Sequence, residues 1–205
     1  MSSNLHRRGL LAAGLLALFG HNPIASPTFA ATAEAATAEA RHVTRLMNDL
    51  IALGNIGQRD KLIKRIASVL RRRADTYSIS LFALGSYRRQ LPKALQSDYI
   101  NAAINYSAAT FANYVSDFEG AKFKLNATNA SGKQVIVIGD VAYASGKVHQ
   151  VRFKIAGGPS RPRVADVNVQ GLWLALQLRK MFTDELKRNR GNFKLLIEWL
   201  NWQSK

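Results

Sequence analysis

His42, His149 and Asp166 are the side chains best suited, by type and setting, to move a proton. His149 falls on the same strand side as Val151 and Phe153. A lone imidazole there is more often a satisfied core or rim residue than a general base. Asp166 sits mid-strand between apolar neighbours and reads either as a hydrogen-bonded structural carboxylate or as a base. Asp117 and Glu119 stand close together at a helix end, without the fixed separation a glycosidase pair needs. No two histidines show metal-ligand spacing, and nucleophile-elbow and phosphate-loop patterns are missing. Gly157-Gly158 leads into Pro159 and a basic loop rather than a helix, which makes a poor phosphate cradle. The chain has no cysteine, which removes disulfides, thiolate metal sites and thiol nucleophiles together. No catalytic residue, metal or cofactor is therefore expected.

The elements that must position any site begin after an export segment. Arg7 and Arg8 precede an uncharged apolar run from Gly9 to Phe19, and small residues follow at Thr28, Ala30, Ala31 and Ala33. This is the order of a secretory signal peptide, with cleavage expected after Ala30 or Ala33. The run is too short to span a bilayer. The adjacent arginines suit either the Sec or the twin-arginine route. Residues 1–30 are assigned to the signal and 31–205 to one domain. Removing the signal takes away two arginines and no acid, so the formal charge of +16 becomes +14. Such a charge suits an anionic partner. Export excludes nucleic acid in practice and favours a lipid surface or headgroup.

At 47% apolar and 20% charged residues, the chain can bury a core. Val43, Leu46, Met47, Leu50 and Ile51 recur at helical spacing, and Leu62, Ile63, Ile66, Val69 and Leu70 repeat the stripe after a Gly54–Gly57 break. The second helix carries Arg59, Lys61, Lys64 and Arg65 on its other face and ends in Arg71-Arg72-Arg73. Asp75 or Thr76 caps a short third helix. A fourth runs through Ile100, Ala103, Ile104, Ser107, Phe111, Tyr114, Val115 and Phe118. Four strands follow: 122–128, 133–143, 148–155 and 163–170. Phe123, Leu125 and Ala127 share one side of the first, and Ala165, Val167 and Val169 point inward from the last. Val135 to Ile138 is apolar on both faces and needs cover on both. Short connections make the sheet an antiparallel meander. From Gly171 the spacing predicts a helix to Arg188, and Asn192 caps a final one. The fold expected is α+β: a curved four-stranded antiparallel sheet covered by N- and C-terminal helices, an NTF2-like cone.

What is left is bulky apolar side chains on facing elements. Phe82, Phe111, Tyr114, Val115 and Phe118 come from helices, and Val137, Val151, Phe153, Val167 and Val169 from the sheet. Leu172 and Leu176 continue them beyond the last strand. They fill an ordinary core or wall a cavity, and side-chain type alone favours the core.

The segments Ile79 to Leu125 and Arg163 to Leu200 resemble the MlaC-type, or toluene-tolerance, family of periplasmic proteins. The shared features are a Leu-Gly followed by aromatic and basic residues, a helix with spaced aromatics, and the Asp166–Gly171 turn leading into two helices. The turn here reads Gly171-Leu172-Trp173 where the family commonly has Gly-Val-Ser, and Arg161-Pro162-Arg163 stands where a Trp is frequent. The resemblance implies a monomeric periplasmic carrier. It would pass a glycerophospholipid between an outer-membrane lipoprotein/porin complex and an inner-membrane ABC transporter complex. A hopanoid-associated member of the family, or an NTF2-like enzyme acting on an apolar substrate, are the alternatives. The apolar residues above would then hold acyl chains, with Arg152, Arg161 and Arg163 at the headgroup rim. Exposing acyl chains costs about 0.8 kcal/mol per methylene, about 20–25 kcal/mol for ~30 methylenes, so a carrier needs a deep dry slot.

Overall fold

The computed structural model describes residues 37–131 and 134–205. The expected signal peptide lies outside the described residues. Helix α1 (Ala38–Ile51) opens with Thr37, whose hydroxyl accepts from the Ala40 N–H at 3.2 Å. Helix α2 (Arg59–Arg73) follows the glycine break, and α3 (Thr76–Ala83) is capped by Asp75, which accepts from Ser78 N–H at 3.1 Å. Two short 3-10 turns lead into α4 (Gln96–Ala112). The spacing had carried this helix on through Phe118. It stops at Ala112, and Val115–Phe118 forms a separate 3-10 turn.

Strands β1 (Lys122–Ser131), β2 (Gln134–Ala142), β3 (Val148–Ala156) and β4 (Arg163–Val169) pair in sequence order, all antiparallel. A fifth strand, β5 (Leu172–Trp173), pairs with the end of β4 and corrects the expected four. The change of period after Gln170 hides a hairpin. Gln170 and Gly171 both have positive φ, 51° and 87°, as a two-residue turn needs to match the twist of its strands. Helix α5 (Leu174–Arg188) starts only after β5. Helix α6 (Phe193–Gln203) is capped by Asn192, which accepts from the N–H groups of Lys194 and Leu195.

Two bulges change which residues share a face. β1 slips between Leu125 and Ala127, so Leu125 pairs with Gly139 but Ala127 pairs with Ile138 on the opposite face. β4 slips between Val164 and Asp166, so Val164 joins Ile155 while Ala165 is unpaired. The apolar face therefore carries Phe123, Leu125, Val137, Val141, Val151, Phe153, Ile155, Val164, Val167 and Val169. The other face carries Ile136 and Ile138 opposite Lys154 and Arg152. Both isoleucines are half-buried although no helix was needed there. The aliphatic stems of their charged cross-strand neighbours supply cover.

Helices α1, α2 and α4 and the apolar sheet face form one hydrophobic cluster. Helices α3, α4, α5 and α6 form a second. α4 belongs to both, which explains its alanines. Ala108, Ala109 and Ala112 face the first cluster, and Ala102 and Ala103 the second. Small side chains let neighbours approach from two sides. The second cluster is stitched by Tyr99, whose hydroxyl donates to Ser80 O at 2.6 Å, and by edge-on packing of Tyr99 and Tyr106 on Phe182.

Gly139 marks the tightest point of the sheet. A Cβ there would lie 2.3 Å from Phe123 Cζ and 2.8 Å from Lys124 O. The Phe123 ring occupies that space and meets Phe153 edge-on at 6.1 Å. Gly139→Ala is expected to destabilise the fold by about 1–3 kcal/mol through overpacking, read as a lower urea midpoint at unchanged slope.

Candidate functional site

The first cluster is where the sequence placed its apolar site. The structure brings Val115, Phe118, Val137, Val151 and Phe153 together in it, all buried. Phe111, Val167 and Val169 pack against it while staying partly exposed. Tyr114 is half-buried just beyond α4. Phe82, Leu172 and Leu176 lie outside it, 39%, 39% and 50% exposed. Phe82 instead sits beneath the Arg179 guanidinium, 5.2 Å from the ring centre. An aromatic row runs along one end of the sheet. Phe111 meets Phe118 at 5.3 Å, Phe118 meets Tyr143 at 5.5 Å, and Tyr143 meets His149 at 5.5 Å. Burial, and then the charge of Asp117, pushes the Tyr143 hydroxyl up to about 12.

The three expected rim arginines do not converge. Arg152 lies on the outer sheet face and bonds Gln150. Arg161 is exposed in the loop before β4. Arg163 is spent on structure: its Nη1 donates to Arg71 O at 3.0 Å and Arg72 O at 2.5 Å. Beside it, His42 Nε2 meets Arg73 O at 2.7 Å, and Arg73 Nε pairs with Asp49 at 3.0 Å. The orphan carbonyls at the end of α2 are thus capped from α1 and β4.

The two candidate proton carriers lie on opposite faces of the sheet. His149 pairs with Val141 on the apolar face, and its Nδ1 lies 3.1 Å from Gln170 Nε2. Burial first, and then Lys147, holds its pKa below the ordinary value. Asp166 pairs with Lys154 on the other face. Its Oδ1 accepts from Val167 N–H at 2.8 Å and Ala175 N–H at 2.9 Å. Trp173 at the N-cap of α5 offers no capping side chain, so Asp166 caps that helix from the strand. Burial raises its pKa, opposed by the two N–H groups and by Lys154. Among the described residues, no three His, Asp or Glu side chains gather as a metal site would require. No described helix is long and apolar enough to cross a membrane.

An open cleft of about 520 Å³ adjoins the first cluster. It lies between the α1–α2 loop (Gly54, Asn55, Ile56, Gly57), the start of α2 (Arg59, Leu62) and the chain after α4 (Ala112, Val115, Ser116, Glu119). Its floor residues Leu62, Ala112 and Val115 are members of the cluster itself. The sequence passed over this place. Arg59 read as part of a solvated face, Glu119 as an unpaired acid and the glycines as a helix break. No spacing links residues 60 positions apart.

The protein family described as MlaC protein matches residues 41–201. The chain belongs to the MlaC family. A solved structure of a phospholipid-binding protein from Ralstonia solanacearum, in complex with a phospholipid, is similar in fold, with a TM-score of 0.71. The two are 20% identical, and the match covers 82% of this chain and 97% of that one. Among proteins with curated descriptions, none matches. The matched segment takes in the whole sheet, the helices α2 to α5 and the described cleft.

Two outcomes follow from these bonds. Asp166→Ala should cost about 1–2 kcal/mol in urea unfolding, and Asp166→Asn, which keeps an acceptor, clearly less. His42 is held below its ordinary 6.5 by burial first, then by Arg73, Arg45 and Arg163, with its bond to Arg73 O acting the other way. The unfolded chain therefore takes up the proton first as the pH falls. The stability linked to His42 is fully present above 6.5 and is lost as the pH drops through the lower folded value. Melting curves between pH 7.5 and 5 should show that loss, smaller in His42→Gln; His149 contributes in the same direction.

Proposed function

We propose that this chain is a periplasmic phospholipid carrier without turnover chemistry. It binds a glycerophospholipid as a monomer and carries it between outer-membrane and inner-membrane lipid complexes. The observation that carries the reading is the apolar sheet face, continuous from Phe123 to Val169 and covered by helices rather than by a second sheet. Membership of the MlaC family supports it, as does the resemblance in fold to a protein solved with a phospholipid.

In this structure the helices lie directly on that face, with Val137 and Phe153 almost wholly buried. Loading then parts the helical cover from the sheet within the first cluster, and acyl chains take the place of side-chain contacts. The sheet curls round them as an NTF2-like cone. The partly exposed Phe111, Tyr143, Val167 and Val169 mark where the cover is thinnest. Residues 1–30 direct export and are removed by cleavage. Arg7 and Arg8 serve either export route. The excess of basic residues favours encounter with anionic lipid assemblies.

Native mass spectrometry of the gently purified mature chain should find one phospholipid per monomer, recovered intact by organic extraction. A double change at half-buried positions, Val167→Glu with Val169→Glu, should cut lipid occupancy at least about tenfold at unchanged circular dichroism, because a carboxylate in an apolar slot is strongly disfavoured. Purified wild-type protein that neither retains nor takes up phospholipid would end this reading.

A further inference from the structure

Phe82, Leu172 and Leu176 belong to neither hydrophobic cluster and stay exposed. They are neighbours. The inward stripe of α5 is Ala175, Phe182 and Leu186, which puts Leu176, Arg179 and Lys180 together on its outward side. Phe82 comes up from α3 beneath Arg179, with 5.2 Å between the guanidinium and the ring centre. Leu172 stands four residues before Leu176, so their Cα atoms are within about 14 Å even along a fully extended chain. Leu172 in turn pairs with Val169, on the apolar face of the sheet. An exposed apolar row thus starts at the edge of that face and runs outward along α5 to Phe82.

The charge around this row is positive. Both acids of α5 are held by cations of the same helix, Asp184 by Lys180 at 2.7 Å and Glu185 by Arg188. Arg179 is in no ion pair among the described residues. From Thr76 to Ser97 the chain has no acid and carries Arg88, Arg89 and Lys93. The Gly85–Gln90 turn that bears the two arginines packs on α5: a Cβ on Gly85 would lie 3.0 Å from Arg179 Nε and from Thr183 Cγ2. Both arginines are exposed.

Apolar tips set among cations match the boundary between headgroups and acyl chains of an anionic bilayer. The leucines and Phe82 enter the hydrocarbon edge, and the arginine stems carry their guanidinium groups to the phosphates. A protein partner would draw on anchors already packed into one buried pocket. Here the apolar tips are spread along a row and separated by charge. We infer that this face, made of β5, the outward side of α5, Phe82 and the Gly85–Gln90 turn, is the surface that the protein lays on an anionic membrane. Because the row begins beside Val169, hydrocarbon can pass between bilayer and protein with little exposure to water. The inference rests on the carrier reading and names the partner surface for it.

The test is co-sedimentation of the mature chain with vesicles of phosphatidylcholine alone and of phosphatidylcholine with about one third phosphatidylglycerol. Wild type should partition about tenfold more strongly onto the anionic vesicles, and raising the salt to about 0.5 M should remove most of that gain. Leu172→Ser with Leu176→Ser should lower anionic partitioning about tenfold at unchanged circular dichroism, since both leucines have surface left to bury. Arg88→Gln with Arg89→Gln should lower it by a similar factor and make it less dependent on salt. Leu195→Ser, similarly exposed but on α6, should change nothing. An equal loss in Leu195→Ser overturns the assignment to this face, as does full binding by both double variants. Equal partitioning of wild type onto the two vesicles overturns the charge argument. Absence of vesicle binding overturns the membrane and leaves the face to a protein partner. In each of these cases one phospholipid retained in native mass spectrometry keeps the carrier reading, so the two fail separately.

Discussion

The need to cover one apolar face of a small antiparallel sheet governs the rest of this structure. Valines, isoleucine and two phenylalanines from four strands are brought onto that face by the pairing register and by two bulges. Sheets of this kind have one face that can meet water and one that cannot. Here the wet face holds Lys124, Asp140, Arg152 and Lys154. The dry face is roofed by α1, α2 and α4. The roof is tied down at its far end by polar bonds rather than by packing alone. The last carbonyls of α2 are satisfied by Arg163 from β4 and His42 from α1, and Asp75 N–H donates to Val164 O at 2.9 Å.

The division into two clusters gives that roof a fixed side and a free side. α4 is held against α3 and α6 through Tyr99, Tyr106 and the small residues between them. Tyr106 lies 5.6 Å from both Phe182 and Trp199, so aromatic contacts anchor the helix away from the sheet. The helix ends at Ala112, and the chain then turns through residues 113–121 before entering β1. On the carrier reading, the second cluster keeps its own packing while the first exchanges contacts with hydrocarbon. A single shared core would have to loosen everywhere at once.

The helices were legible because each carries a strong stripe or a capping residue. Asp75 and Asn192 cap where they were expected to, and Val43 to Leu50 and Leu62 to Val69 bury as their spacing requires. The sheet's antiparallel order was legible from its short turns. What escaped was set by tertiary context. Leu172 and Trp173 are too few to show alternation, and Gln170 is an unusual residue for a positive φ, so β5 looked like the start of a helix. The bulges at Asn126 and Ala165 have no local signature, so simple alternation puts Ala127 on the wrong face and gives Ala165 a pairing that it lacks. Phe82 was grouped by type, but its helix turns it toward Arg179 and α5. Arg163 looked like a rim cation because its acceptors are backbone carbonyls 91 and 92 residues away.

Asp166 shows how the chemistry of this fold is used. A half-buried carboxylate with a raised pKa is often a candidate base. Here both hydrogen bonds to its Oδ1 come from backbone N–H groups, one of them at the start of α5, and the residue faces away from the apolar side. Its charge is committed to holding a helix that has no cap of its own. The same holds for Arg163 and for His42, which close the end of another helix. Polar groups near the sheet are thus consumed in fixing the frame around a hydrophobic interior. On the carrier reading that arrangement suffices, since transfer of hydrocarbon between two dry environments breaks no bond and needs no proton moved.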